Sequence, residues 1–314
     1  MSSLPAEPTP ESLPSLPARL LVAVRPPFLT ASLVPVFIGL GTSHFSGTVF
    51  VVWIVVLTVL GPVLAQAGAN VVNDYFDHLN GTDAVNVKRV FPFTGGSRMI
   101  QNGVLTPEQV RFFGFSLLAT AVGCGVFLAY TVGPGLMGFV AAGLFIAWAY
   151  SAPPLRLNSR GWGELCIALA FGILIPLGAD FVQRGSLSML PVIAGFPFAM
   201  LVTNLLYINQ FPDLEADAKA GKRHWVVRLG AGRARWIYPL LAIFGYGELL
   251  VAVFFGLLPV WTLLGLLAAP LSFLASRDLL RHADEPELLR PAIGRTIGAM
   301  MVLGIMLTIG FVVS

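Results

Sequence analysis

Apolar residues dominate this chain in long runs, and the runs recur nine times, at about 21–43, 49–77, 108–130, 134–151, 163–181, 189–211, 236–257, 259–275 and 293–313. Most approach the roughly 20 residues that cross a bilayer as a helix. They are too many and too long to be core helices of a water-soluble domain, so each predicts a transmembrane helix. Gly and Pro interrupt most of them, which bundled membrane helices tolerate because neighbours satisfy the freed backbone groups. The expected fold is all-α: a polytopic membrane protein with nine transmembrane helices in one bundle. The opening stretch MSSLPAEPTPESLPSLPA is rich in Pro, Ser and Glu and has no basic stretch followed by a cleavable apolar core. It reads as a disordered tail over residues 1–18 rather than a signal peptide, leaving 19–314 as the membrane domain.

Composition agrees with this pattern. The 314 residues are 56% hydrophobic and 11% charged, whereas soluble domains carry roughly 25% charged residues. Charge placement adds the orientation. Arg19 and Arg25 precede segment 1; Lys88, Arg89, Arg98 and Arg111 lie between segments 2 and 3; Arg156 and Arg160 lie between 4 and 5. Lys219, Lys222, Arg223, Arg228, Arg233 and Arg235 follow segment 6, and Arg277, Arg281, Arg290 and Arg295 join 8 and 9. Of the 19 Lys and Arg residues only Arg184 falls on the other face. Basic residues concentrate on the cytoplasmic side, so the N-terminus is expected in the cytoplasm and the C-terminus outside, in an inner or plasma membrane. The net charge of +3 serves that orientation and does not point to nucleic acid. Cys124 and Cys166 lie inside apolar runs without the Cys/His spacing of a zinc site, and read as bystanders.

The two longest polar connections, about 78–107 and 212–235, both fall on the cytoplasmic face. Long charged loops carry function more often than short ones, which places the chemistry in a cytoplasm-facing cavity. The first connection opens with Asn73-Asp74-Tyr75-Phe76-Asp77 and continues through Gly81-Thr82-Asp83. Asn73 and Asp77 are four apart and share a helical face, which Gln66 and Asn70 extend inward. The second opens with Asn209-Gln210-Phe211-Pro212-Asp213-Leu214-Glu215-Ala216-Asp217, where Asn209, Asp213 and Asp217 repeat the same step of four. Segments 2 and 6 emerge on one side of the membrane, so the two clusters can face one another.

Facing carboxylates and amide oxygens beside a bilayer are costly unless a cation neutralises them. Oxygen-only ligands suit Mg²⁺, which keeps waters and is completed by substrate phosphate oxygens. A diphosphate fits that gap, and the Lys88, Arg89, Arg98 and Lys219, Lys222, Arg223 groups that follow the two clusters would stabilise it as it leaves. A lone Asp-x-x-x-Asp at a membrane boundary is usually a solvated helix end; two copies with matched spacing and sidedness favour the metal–diphosphate site. Asp74 lies off the Asn73/Asp77 face, and a capping or supporting role is as open as ligation. Glu215 is off-face and solvated. Tyr150 and Arg156, at the end of segment 4, either anchor the interface or line the site, Arg156 meeting diphosphate or an acceptor carboxylate. Arg25 and Glu164 are weaker candidates, and Glu248 reads as a hydrogen-bonded structural group.

The paired motifs, over essentially the whole chain after the tail, resemble the UbiA superfamily of intramembrane prenyltransferases. The resemblance implies nine helices, Mg²⁺ bridging the aspartates of helices 2 and 6 to a polyprenyl diphosphate, and an aromatic acceptor that receives the prenyl chain within the membrane lipid. It implies Asn73, Asp77, Asp83, Asn209, Asp213 and Asp217 as the metal–diphosphate set and Lys222 and Arg223 as phosphate contacts, while Arg98 is a substrate-binding candidate from its place after the first cluster. Tyr150 and Ser151 match the position near the reacting carbon. Asp83, with Gly rather than Asp at position 81, resembles the 1,4-dihydroxy-2-naphthoate branch of menaquinone biosynthesis, as does the run from Asp213 through Gly221-Lys222-Arg223 to Gly230. Phe93-Thr94-Gly95-Gly96-Ser97-Arg98 and Pro153-Pro154 depart from that branch, which bears on the acceptor and leaves 4-hydroxybenzoate or another aromatic or lipid acceptor as the alternative. A cation-coupled transporter would also hold acids in a bundle, but its site would sit nearer the midplane.

Overall fold

The computed structural model describes residues 6–314, and among these the chain is helical with no strand. Eight helices are long and apolar enough to cross a membrane: α1 Pro26–Phe45, α2 Val52–Leu79, α3 Pro107–Val132, α5 Gly163–Arg184, α6 Leu190–Lys219, α7 Ala231–Phe254, α8 Val260–His282 and α9 Pro286–Val312. The shorter α4, Leu136–Ser151, spans only about 24 Å at 1.5 Å per residue and completes the set of nine. Large apolar side chains such as Phe112, Phe127, Phe145, Phe244, Phe254 and Phe273 stand exposed around the outside. An apolar patch of that extent belongs against lipid.

The central helix is α6, with 72% of its most apolar stretch buried against 17% for α2. On one side α6 packs with α1, α7 and α9 through Phe198, Leu201, Val34, Ile38, Leu249, Met300 and Leu303. On the other it crosses α5 so closely that a Cβ on Gly195 would fall 1.9 Å from Gly172 O. Gly172 lies in a π-helical stretch, Ala168–Leu174, and such bulges frequently mark functional sites. Smaller apolar clusters join α2 to α3 and α3 to α4 and α5, and a cavity opens among α2, α3, α4, α5 and α6.

Three boundaries differ from the sequence expectation. The first span begins at Pro26 rather than near 21, because Arg25 adopts a left-handed backbone (φ 55) that separates α1 from a short helix, Leu16–Ala23. Helix α6 continues eight residues beyond the expected end at 211: Pro212 lies inside it, and the one lost backbone bond does not stop a packed membrane helix. The tail expected over 1–18 falls partly on residues 1–5, outside the described residues. From Glu7 onward the chain lies against the loop after α2, with Glu7 paired to Arg89.

Candidate active site

The inner end of the cavity is built from two helix ends and two turns. Asp77 occupies the last turn of α2. Gly81, with φ 79, reverses the chain there and sends Asp83, in the short helix Thr82–Val85, back beneath α2 as a buried group. Asn209, Asp213 and Asp217 descend one face of α6, opposite Asp77. Gly221 (φ 77) makes the second turn, and Lys222 folds back between the clusters. Its Nζ lies 3.0 Å from Asp217 Oδ1 and 3.2 Å from Asp77 Oδ1. One buried ammonium thus ties the two acid motifs together. Burial alone would lower the Lys222 pKa, and the carboxylates of Asp77 and Asp217 outweigh it and hold the ammonium charged well above its ordinary range.

The other carboxylates are held individually. Asn86 Nδ2 donates to Asp213 Oδ1 at 2.7 Å. His224 Nδ1 accepts from Val227 N at 3.4 Å, so its Nε2 carries the proton that it donates to Asp217 Oδ2 at 3.0 Å. Gln101 Nε2 donates to Asp83 Oδ2 at 3.1 Å. Burial, with the Asp77 carboxylate adding to it, pushes the Asp83 carboxyl up to about 7. The charges of Arg25, Lys222 and Arg98 oppose that rise without cancelling it, and a bound cation would add to them.

Asp74 does not face the cavity floor. It forms an ion pair with Arg25 and accepts from Ser97 N at 3.1 Å, pinning the loop 95–97 to α2. Gly96 (φ 76) passes so near that a Cβ would sit 3.0 Å from Asp83 Oδ2 and 3.1 Å from Asp74 Oδ1. No side chain fits there.

A cavity of about 440 Å³ connects these groups to an apolar tunnel. Its polar lining includes Arg25, Asn73, Asp77, Asp83, Tyr150, Asn209, Asp213, Asp217, Lys222 and His224. Its apolar lining follows α2 from Asp77 back to Leu57, about 30 Å of helix, flanked by Leu128, Phe139, Phe171 and Val182. Acids, ammonium and amides therefore sit at one end of a water-poor slot.

Four residues expected at the site lie elsewhere. Arg156 and Arg223 line a separate surface depression with Arg160 and Arg228. Helical spacing from Asp217 does not carry to Arg223, because the helix ends at Lys219 and Gly221 turns the chain. Arg98 is buried behind the cavity wall, donating from Nη1 to Asp83 O at 2.5 Å. Ser151 is buried too, and its Oγ accepts from Asn73 Nδ2 at 2.9 Å, orienting that amide. Asn86, Thr94, Gln210 and His224 also line the cavity, and nothing in local spacing distinguishes them. Glu164, buried, accepts from Gln210 Nε2 at 3.0 Å, and Glu215 pairs at the surface with Lys88 at 2.7 Å. Glu248 Oε2 is buried and finds no hydrogen-bond partner among the described residues, unlike the bonded group expected.

The donor set is of hard oxygens, and the buried Asn209 Oδ1 has no protein partner, so the residues fit a cation of the Mg²⁺ type. Among the described residues no three acidic, His or Cys side chains converge on one point. Mg²⁺ does not need that, since one or two carboxylates suffice when phosphate oxygens and water complete the octahedron.

A family model described as "UbiA prenyltransferase family" matches residues 32–292. Among curated relatives, the chain is 29% identical to the 1,4-dihydroxy-2-naphthoate octaprenyltransferase of Mycobacterium tuberculosis (91% of this chain, 94% of the relative). It is 27% identical to the enzyme of that name from Escherichia coli K12 (94% and 95%). Against the 2-carboxy-1,4-naphthoquinone phytyltransferase of Synechocystis it is 25% identical (88% and 88%). A UbiA homolog from Archaeoglobus fulgidus solved with DMAPP and Mg²⁺ shares the fold at a TM-score of 0.59 and 18% identity, covering 93% of this chain and 99% of that one. The same homolog with GPP and Mg²⁺ gives 0.61 and 17% (94% and 100%).

Proposed function

The chain belongs to the UbiA prenyltransferase family, and from that premise we propose that it transfers a polyprenyl group from its diphosphate to 1,4-dihydroxy-2-naphthoate in membrane quinone biosynthesis. The observation that carries the reading is the joint placement of Asp77, Asp83, Asp213, Asp217 and Lys222 at the polar end of an apolar tunnel. The tunnel suits a prenyl tail, which needs burial and no polar recognition; the polar end suits a diphosphate. The relatives named for naphthoate acceptors support the acceptor.

In this reading Asp77, Asp83, Asp213 and Asp217, with the amides of Asn73 and Asn209, would hold Mg²⁺. When bound, the metal neutralises the diphosphate and acts on it as a Lewis acid. Lys222 and Arg25 bring fixed positive charge to the same end, where it counts most as negative charge develops on the leaving group. The allylic C–O bond breaks and its electron pair departs with the diphosphate. The tunnel walls exclude the water that would otherwise capture the allylic cation. A ring carbon of the acceptor attacks, and loss of a proton or of the ring carboxyl as CO₂ restores aromaticity. Tyr150 lines the cavity where α4 ends and positions the ring. Arg156 and Arg160 lie outside this cavity, so the acceptor carboxylate is not assigned to them.

The distribution of basic residues supports a placement with the cytoplasmic ends of α2 and α6 at the cavity mouth and the C-terminus outside, in an inner or plasma membrane. Incubating the purified enzyme with equimolar 1,4-dihydroxy-2-naphthoate and 4-hydroxybenzoate, one prenyl diphosphate and Mg²⁺ tests the acceptor. Prenylated naphthoate as the main product by mass is expected. Dominant prenylated hydroxybenzoate would move the chain to another branch and leave the diphosphate site standing.

A further inference from the structure

The segment ahead of the first helix lies against the wall of the cavity, and Glu7 makes its charged contacts there. Glu7 Oε1 accepts from Arg89 Nε at 2.6 Å and lies 2.5 Å from Arg89 Nη2. Its Oε2 accepts from Asn102 Nδ2 at 3.1 Å and lies 3.8 Å from Arg98 Nε. Asn102 Nδ2 also donates to Pro8 O at 3.0 Å. Burial works to raise the Glu7 carboxyl, and the bonds from Asn102 and Arg89 overcome it, so the group stays ionised below its usual range.

Both guanidiniums that Glu7 neutralises shape the cavity without entering it. Arg89 Nη1 donates to Asn86 O at 2.5 Å, and Asn86 is the residue whose amide holds Asp213. The Arg89 stem fills the space beside Gly95, where an added Cβ would lie 2.6 Å from Arg89 Cδ; Gly95 and Gly96 line the cavity. Arg98, in a left-handed backbone (φ 65), donates to the carbonyl of Asp83. Without Glu7, two like charges would face each other across this loop, and their repulsion opposes the closed arrangement.

We propose that Glu7 is a positioning residue that clamps the loop 86–102 over the diphosphate end of the cavity, a role that rests on the cavity being the diphosphate site. Glu7 touches no substrate. It acts by keeping Arg89 and Arg98 together, which keeps Asn86 on Asp213 and Asp83 under α2.

The test compares wild type, Glu7→Gln and, as a control on the same segment, Glu11→Gln, whose side chain is exposed. Amide hydrogen exchange reads the loop directly, without reference to activity. In Glu7→Gln the amides of 86–102 exchange faster while those of α6 do not. Losing charge-assisted bonds of this kind raises KM for prenyl diphosphate by roughly tenfold, with the acceptor KM unchanged. In an Arg89→Ala background Glu7→Gln costs less than it does in wild type, because the Arg89 contact they share is already gone and only those with Asn102 and Arg98 remain. Glu11→Gln behaves as wild type in both measurements. Unchanged exchange in Glu7→Gln overturns the clamp; faster exchange with an unaltered diphosphate KM overturns its link to the site. A wild-type protein that transfers no prenyl group overturns the assignment of the cavity itself, a result distinct from either.

Discussion

Replacing Lys222 with Met isolates the electrostatics of the site. Met keeps most of the apolar stem and removes the ammonium that lies 3.0 Å from Asp217 Oδ1 and 3.2 Å from Asp77 Oδ1. Removing one partner of a buried ion pair costs about 3–5 kcal/mol, because the other charge stays buried without compensation. His224 still donates to Asp217 and Asn80 Nδ2 to Asp77 Oδ1 at 3.2 Å, which places this site at the lower end, about 3 kcal/mol. At roughly 2–4 °C per kcal/mol, the melting temperature in chelator falls by about 6–12 °C. Two uncompensated carboxylates should then take a divalent cation in place of the ammonium. At a hundredfold excess over its Kd, a ligand adds about 2.7 kcal/mol, so Mg²⁺ should recover most of the loss. Thermal unfolding in detergent, with chelator and across a Mg²⁺ titration, measures both effects. A variant that melts with wild type in chelator refutes the bridging role of Lys222. A variant that gains no more from Mg²⁺ than wild type does refutes the claim that Asp77 and Asp217 address a shared cation.

Asp77→Ala and Asp213→Ala should each lower turnover by roughly 10²–10³-fold or more while the protein still inserts in the membrane; near-normal kcat in either at saturating Mg²⁺ would falsify the paired-acid site. Gly61 lines the tunnel, and a Cβ there meets nothing within 4 Å, so Gly61→Phe should project into the slot. Long prenyl diphosphates then lose turnover while dimethylallyl and geranyl diphosphates keep it; equal loss across a chain-length series would show that the tail lies elsewhere. A reporter after Ser314 should report from outside the cytoplasm and one inserted at Gly221 from inside, and both on one side would break the orientation argument.

Hydrophobic runs located all nine helices, because a bilayer imposes length and polarity on every segment that crosses it. Their ends were less legible. Pro212 reads as a breaker in isolation, and only packing around α6 shows why the helix passes through it to Asp217. Within the helices, spacing by four was a sound guide: Asn73 with Asp77, and Asn209 with Asp213 and Asp217, reach the cavity together. Asp74, off that face, pairs with Arg25 instead. Beyond the helix ends periodicity carries no information, and adjacency misleads. Lys222 and Arg223 are neighbours in sequence, yet one bridges two acids and the other lines a different depression. Glu7 was hidden for the same reason in reverse: a Pro- and Ser-rich segment reads as disordered, and the partners of Glu7, Arg89 and Asn102, lie 82 and 95 residues away.

The most direct test of the account is the stoichiometry of the reaction by the purified protein, reconstituted without any ion gradient and supplied with a prenyl diphosphate, the naphthoate acceptor and Mg²⁺. The account predicts one pyrophosphate released per prenylated aromatic product, with both abolished together by chelator and restored by added Mg²⁺. Prenyl diphosphate left intact under those conditions, or pyrophosphate released without any prenylated ring, would contradict it.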